Sequence, residues 1–136
     1  MPLFTWTEEM TVNVEVLDED HKKLFVMINE LQDAIAAGHD KKVLREILSR
    51  LMEYTKAHLA REEHMLATAE YPGLAAHQHE HERMRRRAQN LRERFEKGST
   101  KMASLELKSF LQNWWILHIQ GSDKKYGPFL NFKGIH

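Results

Sequence analysis

Apolar positions recur at steps of three and four along most of this chain, a period that predicts amphipathic helices. The first 17 residues are the exception. There Val12, Val14 and Val16 alternate with polar residues, as in a strand. No second strand pattern follows, so these residues are expected to form an extended arm packed on helices.

Four helical segments follow. The first starts near Asp18, read as an N-cap, and ends at Gly38. Its stripe is His21, Leu24, Phe25, Ile28, Leu31 and Ile35. The second runs from about Asp40 to about Thr68, before Tyr71-Pro72-Gly73 forces a turn. Its stripe is Leu44, Ile47, Leu51, Tyr54, His58, Glu62 and Met65. The third runs from Leu74 to Lys97 and stops at Gly98. Its stripe is Leu74, His77, His81, Met84, Ala88, Leu91 and Phe95. The fourth starts after Ser99-Thr100, carries Leu107, Phe110, Leu111, Trp114, Leu117 and His118, and reaches about Gln120. Gly121 is expected to loosen its end, and Pro128 to limit a short tail.

Short connections make successive helices antiparallel. The fold expected is therefore all-α: an antiparallel up-down-up-down four-helix bundle with an extended N-terminal arm. The whole of 1–136 reads as a single domain, with the arm at 1–17, the bundle at 18–126 and the tail at 127–136.

The stripes hold what a core should not. His21, His58, Glu62, His77, His81 and His118 occupy positions that leucine would fill, and Asp123 lies five residues past His118. Up-down topology carries all of them to one end of the bundle. Burying a neutral polar group without a partner costs roughly 2–7 kcal/mol, and a charge costs more. Seven such groups at one level need a common partner, and a metal centre supplies it. His39, His64, His79 and His136 lie off these stripes and should face solvent.

Imidazole and carboxylate without sulfur suit iron, zinc, copper or manganese. Seven donors exceed the four of a structural zinc site. Two ions sharing Glu62 and Asp123, with a bridging solvent oxygen, would use them well. The five histidines then divide three and two, which leaves one ion with a vacant position. The paired Glu-x-x-His motifs of ferritin-like sites are absent. So is the His-Glu-x-x-His of zinc proteases, because Arg83 and Arg85 stand where the second histidine belongs.

Composition narrows the setting. The 136 residues include no cysteine, so disulfides and thiolate ligands are excluded. The 20 basic residues balance the 20 acidic ones, which gives no reason to expect nucleic acid as a partner. The Arg83–Arg94 stretch is interleaved with Glu82, Glu93 and Glu96 and reads as a solvated face. No apolar run approaches the roughly 20 residues of a membrane span. A cytoplasmic monomer without a membrane span is expected.

The ordered set resembles the hemerythrins, and among them the single-domain bacterial ones. It comprises Trp6, the Asp-Glu-Asp-His stretch ending at His21, His58-x-x-x-Glu62, His77-x-x-x-His81 and His118-x-x-x-x-Asp123. The resemblance implies two iron ions (Fe2+/Fe3+) with a bridging oxo or hydroxo group. His77, His81 and His118 would hold the coordinatively full iron, His21 and His58 the open one, and Glu62 and Asp123 would bridge. It further implies reversible O2 binding for transport, storage or delivery to a protein recipient, with small anions binding the oxidised form. Helical offsets nominate Leu24, Leu59, Trp114, Trp115 and Ile119 as the O2 pocket, with Trp115 facing the open iron. No catalytic residue is expected, and no other ionisable group lies on these stripes near the site. An oxygen- or redox-sensing module, a di-iron enzyme acting on peroxide or nitric oxide, and a bundle that binds zinc or no metal are the competing readings.

Overall fold

The computed structural model describes residues 4–98 and 100–136, apart from the side chains of residues 100–104 and 114–115. Four rods follow the extended arm. They are α1 (Glu15–Ala36), α2 (Lys41–Thr68), α3 (Leu74–Lys97) and a fourth rod that begins with α4 (Thr100–Phe110). Ion pairs fix the directions. Arg45 near the start of α2 meets Glu96 near the end of α3, and Arg50 of α2 meets Glu30 of α1. Arg94 late in α3 meets Glu106 of α4. Each rod is therefore antiparallel to the next. Among the described residues no helix is long and apolar enough to cross a membrane.

The stops lie where the punctuation predicts. Gly38 takes φ +73°, a left-handed value that favours glycine, and its N–H and that of His39 cap carbonyls of the last turn of α1. Asp40 caps α2 by accepting from the Val43 N–H at 3.0 Å.

Two boundaries differ from expectation. Helix one starts at Glu15 rather than near Asp18. Asp18 is not its N-cap; its carboxylate accepts from the Thr11 hydroxyl and from the Val12 N–H at 2.8 Å, tying the arm to the first turn. The fourth rod does not end near Gln120. It continues through two wide π-helical stretches, Leu111–Trp115 and His118–Asp123, into α5 (Lys124–Phe132). The backbone stays right-handed helical at the junction residues Phe110, Ile116, Leu117 and Lys124. Pro128 sits inside α5 rather than in a short tail. It removes one ladder donor, but α5 is held by burial of Tyr126 and Leu130.

Two apolar clusters flank the polar level. The larger runs along the bundle through Leu24, Ile28, Leu51, Leu59, Met84, Leu91 and Phe110. The smaller closes the site end: Val12, Val14 and Leu17 pack with Leu66, Ala69, Tyr126 and Leu130. The arm is extended at Thr7, Thr11 and Val14, but a short 3-10 turn at Glu8–Met10 and a left-handed Asn13 interrupt it and its last residues join α1; its valines form a lid. Val16 breaks the alternation by falling in α1, where it is exposed. The lid crosses α5 at Gly127, where a Cβ would stand 2.4 Å from the Val12 carbonyl oxygen. Only glycine admits that approach.

Candidate metal centre

All seven expected ligands converge between the two apolar clusters, and all are buried. His21 comes from α1, His58 and Glu62 from α2, and His77 and His81 from α3. His118 and Asp123 are the first and last residues of the second π-helical stretch. That stretch explains their spacing. In an α-helix five residues turn by about 500°, leaving the second residue about 140° from the first. A π turn closes over one more residue and returns Asp123 to the face of His118. Asp123 therefore reaches the site from within a helix and does not swing in from a turn.

The two central carboxylates each face both ways. Oε1 of Glu62 lies 2.5 Å from His77 Nε2 and 3.1 Å from His81 Nε2. Its Oε2 faces His58 Nε2 at 3.4 Å and His21 Nε2 at 3.8 Å. Oδ1 of Asp123 lies 3.1 Å from His77 Nε2 and 3.0 Å from His118 Nε2, while Oδ2 faces His21 Nε2 at 3.2 Å. Two donor sets result: Glu62, His77, His81, His118 and Asp123 on one side, and His21, His58, Glu62 and Asp123 on the other. Within each set the donor atoms lie within 4.8 Å of one another.

A second layer of carboxylates holds the imidazoles from behind. His58 Nδ1 meets Asp20 at 3.0 Å, and Asp20 also accepts from Tyr54 and Arg61. His118 Nδ1 meets Glu80 at 2.8 Å, and Glu80 accepts from Ser122. His81 Nδ1 lies 3.3 Å from Glu63, which Arg85 holds. A proton on Nδ1 of His58 and of His118 satisfies Asp20 and Glu80 and turns a lone pair inward at Nε2, whereas His81 Nδ1 makes no aligned hydrogen bond to Glu63.

Inward lone pairs explain otherwise unfavourable contacts. His81 and His118 bring their Nε2 atoms within 3.1 Å of each other. Both oxygens of Asp123 are buried with no aligned hydrogen bond, and so is Nε2 of His21. Buried acceptors facing acceptors are costly, and a shared cation relieves all of them together. The donor set thus fits metal ions.

With no cation between them, the groups hold protons instead. Burial pulls the His21 imidazole down, but Asp123 and Glu62 outweigh it and raise it to about 9. Burial likewise opposes, and the same carboxylates win, at His77, which rises to about 10. Burial and the neighbouring Glu62 push Asp123 up, yet His118 and His21 hold it below the usual carboxylate range. Glu62 is also held low, by four imidazoles against its own burial.

Of the expected pocket residues, Leu24, Leu59 and Ile119 are buried in the larger apolar cluster. The side chains of Trp114 and Trp115 lie outside the described residues. His39, His64, His79 and His136 are exposed, as expected. Further ionisable groups adjoin the site from positions that the stripes do not cover. Asp20, Glu63, Glu80 and Tyr126 all touch the ligand set, and the Tyr126 hydroxyl donates to Glu62 Oε2 at 3.0 Å. Glu63 and Glu80 adjoin ligands in sequence and therefore fall off the apolar stripes. Asp20 has the same disguise. Tyr126 was hidden by the expectation that the fourth helix ends before it.

The hemerythrin HHE cation binding domain family matches residues 12–130. The chain belongs to the hemerythrin family. A bacteriohemerythrin of Methylococcus capsulatus is 33% identical over 132 residues, covering 96% of this chain and 99% of its own length. One from Stenotrophomonas maltophilia is 32% identical over 126 residues, covering 93% and 80%. A crystal structure of wild-type hemerythrin superposes with a TM-score of 0.83 at 31% identity, covering 94% of this chain and 98% of that one. Hemerythrins are oxygen-binding proteins that use non-haem iron, and the present hemerythrin has the four-helix bundle and the His/Glu/Asp cluster of that class.

Proposed function

We propose that this chain binds O2 reversibly at a carboxylate-bridged pair of iron ions and serves as a carrier, store or local supplier rather than an enzyme. The observation that carries this reading is the division of oxygens at Glu62 and Asp123. Each carboxylate turns one oxygen to the three-histidine side and the other to the two-histidine side. Such a pair is suited to bridging two cations. His77, His81 and His118 would hold one iron, and His21 and His58 the other. The second set has one protein donor fewer, which leaves room for a small ligand. When bound, the iron pair supplies the electrons and the open position that O2 binding needs.

The chain's own residues hold and protect that pair. Asp20 and Glu80 orient His58 and His118 through hydrogen bonds to Nδ1, and Glu63 lies beside Nδ1 of His81. Tyr126 keeps one oxygen of Glu62 hydrogen-bonded. Leu24, Leu59 and Ile119 are proposed to line the ligand pocket, where apolar walls exclude water.

The test is an absorption spectrum through an anaerobic-to-aerobic cycle, with metal analysis on the same sample. Two irons per chain, colour on exposure to air and bleaching when O2 is removed are expected. One zinc per chain, or irreversible oxidation with steady peroxide turnover, would overturn the reading. Replacing His77 should abolish loading of the iron pair and the colour change together.

A further inference from the structure

Between α2 and α3, floored by α4, lies a cavity of about 330 Å3. Its walls include Leu51, Leu59, Met84, Phe95 and Phe110, all buried side chains. A space of this size is at the lower end of small-molecule sites. Its inner end reaches Leu59, next to His58, and Met84, three residues past His81.

The rim is charged. Arg92 is half-buried, and among the described residues its guanidinium donates only to Ser49 Oγ at 3.5 Å and Met52 Sδ at 4.0 Å, both at the limit of a hydrogen bond. Among the described residues no carboxylate lies within 4.0 Å of the Arg92 guanidinium or the Lys56 ammonium, and both line the cavity. Arg85 also lines it but is already paired with Glu63 and Glu82. Glu53 contributes the opposing charge. Glu96 also feels the charge of Arg92 but is paired with Arg45, so with Arg85 neutralised the lining leaves two cations, Arg92 and Lys56, facing one anion, Glu53.

An apolar hole under a singly positive rim matches a specific ligand chemistry. We propose that this cavity binds an unbranched aliphatic monocarboxylate of medium chain length. Its tail lies along Leu51 and Phe110 towards Leu59 and Met84, and its head is held by Arg92 with Lys56 beside it. A guanidinium offers a carboxylate two parallel N–H donors, so Arg92 carries the recognition. Burial of the tail supplies most of the affinity. No metal-centre ligand lines this site, which shares only the Leu59 wall with the proposed O2 pocket.

Octanoate is the probe, titrated calorimetrically into the iron-loaded protein, with acetate and 1-octanol as controls. One saturable octanoate site is expected, with acetate at least about a hundredfold weaker and octanol about tenfold weaker. Arg92→Met should cost octanoate about tenfold and leave octanol unchanged. Ala88→Leu fills the cavity without touching its charges, and it should abolish both octanoate and octanol binding while the helical circular dichroism is kept. No saturable binding at millimolar octanoate would overturn the proposal. So would acetate binding as tightly as octanoate, which would place the anion at the metal centre. Octanoate binding that survives both substitutions would show surface adsorption and also overturn it.

Discussion

The two sides of the centre share their carboxylates and differ in nearly everything else. On the three-histidine side Glu80, held by Ser122, hydrogen-bonds His118 Nδ1, while Glu63, held by Arg85, lies 3.3 Å from His81 Nδ1 without an aligned hydrogen bond. On the two-histidine side only His58 has such support, from Asp20 with Tyr54 and Arg61. Nδ1 of His21 is buried with no hydrogen-bond partner. The first side thus offers one more protein donor and has a carboxylate beside the outer nitrogen of two imidazoles, while the second offers fewer donors and has a carboxylate beside one. A centre that must keep its metals yet exchange a ligand needs that inequality, since rigid saturation on both sides would leave nowhere to bind.

The largest effect should come from removing what the sides share. Glu62→Ala deletes an oxygen from each donor set and leaves buried imidazoles facing a void. Metal content at both positions should collapse, by more than about a hundredfold in affinity. Iron quantification after dialysis measures it. Retention of one full equivalent would mean that Glu62 serves a single ion.

How much of this was legible beforehand follows from where each residue sits. Histidines on helical stripes break an apolar pattern, so His21, His58, His77, His81 and His118 stood out, and antiparallel topology put them at one level. The residues behind them obey no such pattern. Asp20, Glu63 and Glu80 immediately flank ligands, on positions where a charge is the ordinary surface choice. Tyr126 and the burial of Leu130 were lost for a different reason. Gly121 and Pro128 read as breakers, because local propensity carries no sign of a π turn that keeps His118 and Asp123 on one face. The arm was legible as extended from its valines. That it closes the site at Gly127 required the tertiary contact with Val12.

Weakening the supports one side at a time comes next in size. Outer carboxylates behind metal-bound histidines typically contribute 10–100-fold in affinity. Asp20→Asn should lower affinity for the weaker equivalent by roughly that range, because Asp20 is the carboxylate that hydrogen-bonds His58 Nδ1. Glu80→Gln should act on the tighter equivalent and by less, since His77 and His81 remain in place. Stepwise metal titration with chelator competition separates the two. Equal losses in both variants would erase the proposed inequality.

The metal-free protein gives a smaller signal with a definite sign. His21 and His77 titrate near 9 and 10 in the folded chain, above the ordinary 6.5. Their contribution to stability is full below about pH 6.5 and lost as pH rises through 9 to 10. Loaded protein should behave oppositely, since metal displaces those protons and binds better as pH rises. The gap in unfolding midpoint between loaded and metal-free protein should therefore widen from pH 6 to pH 9. A constant gap would mean that the imidazoles hold no extra protons without metal.

Tyr126→Phe should have the smallest effect and separates the sides most cleanly. The phenol donates to Glu62 Oε2, the oxygen turned towards His58 and His21, and not to Oε1, which faces His77 and His81. Losing one hydrogen bond to a charged acceptor costs roughly 1.5–3 kcal/mol when the acceptor has no other partner. Here a bound cation would still neutralise Glu62 Oε2, so the loss should be nearer 1 kcal/mol, a few-fold in affinity. It should fall on the two-histidine equivalent alone, leaving the tighter one within error. Removing the hydroxyl also leaves the ring in its packing against Tyr71 and His77, so the thermal midpoint of the metal-free protein should barely move. If both equivalents weaken together, the two oxygens of Glu62 are not divided between the sides in solution.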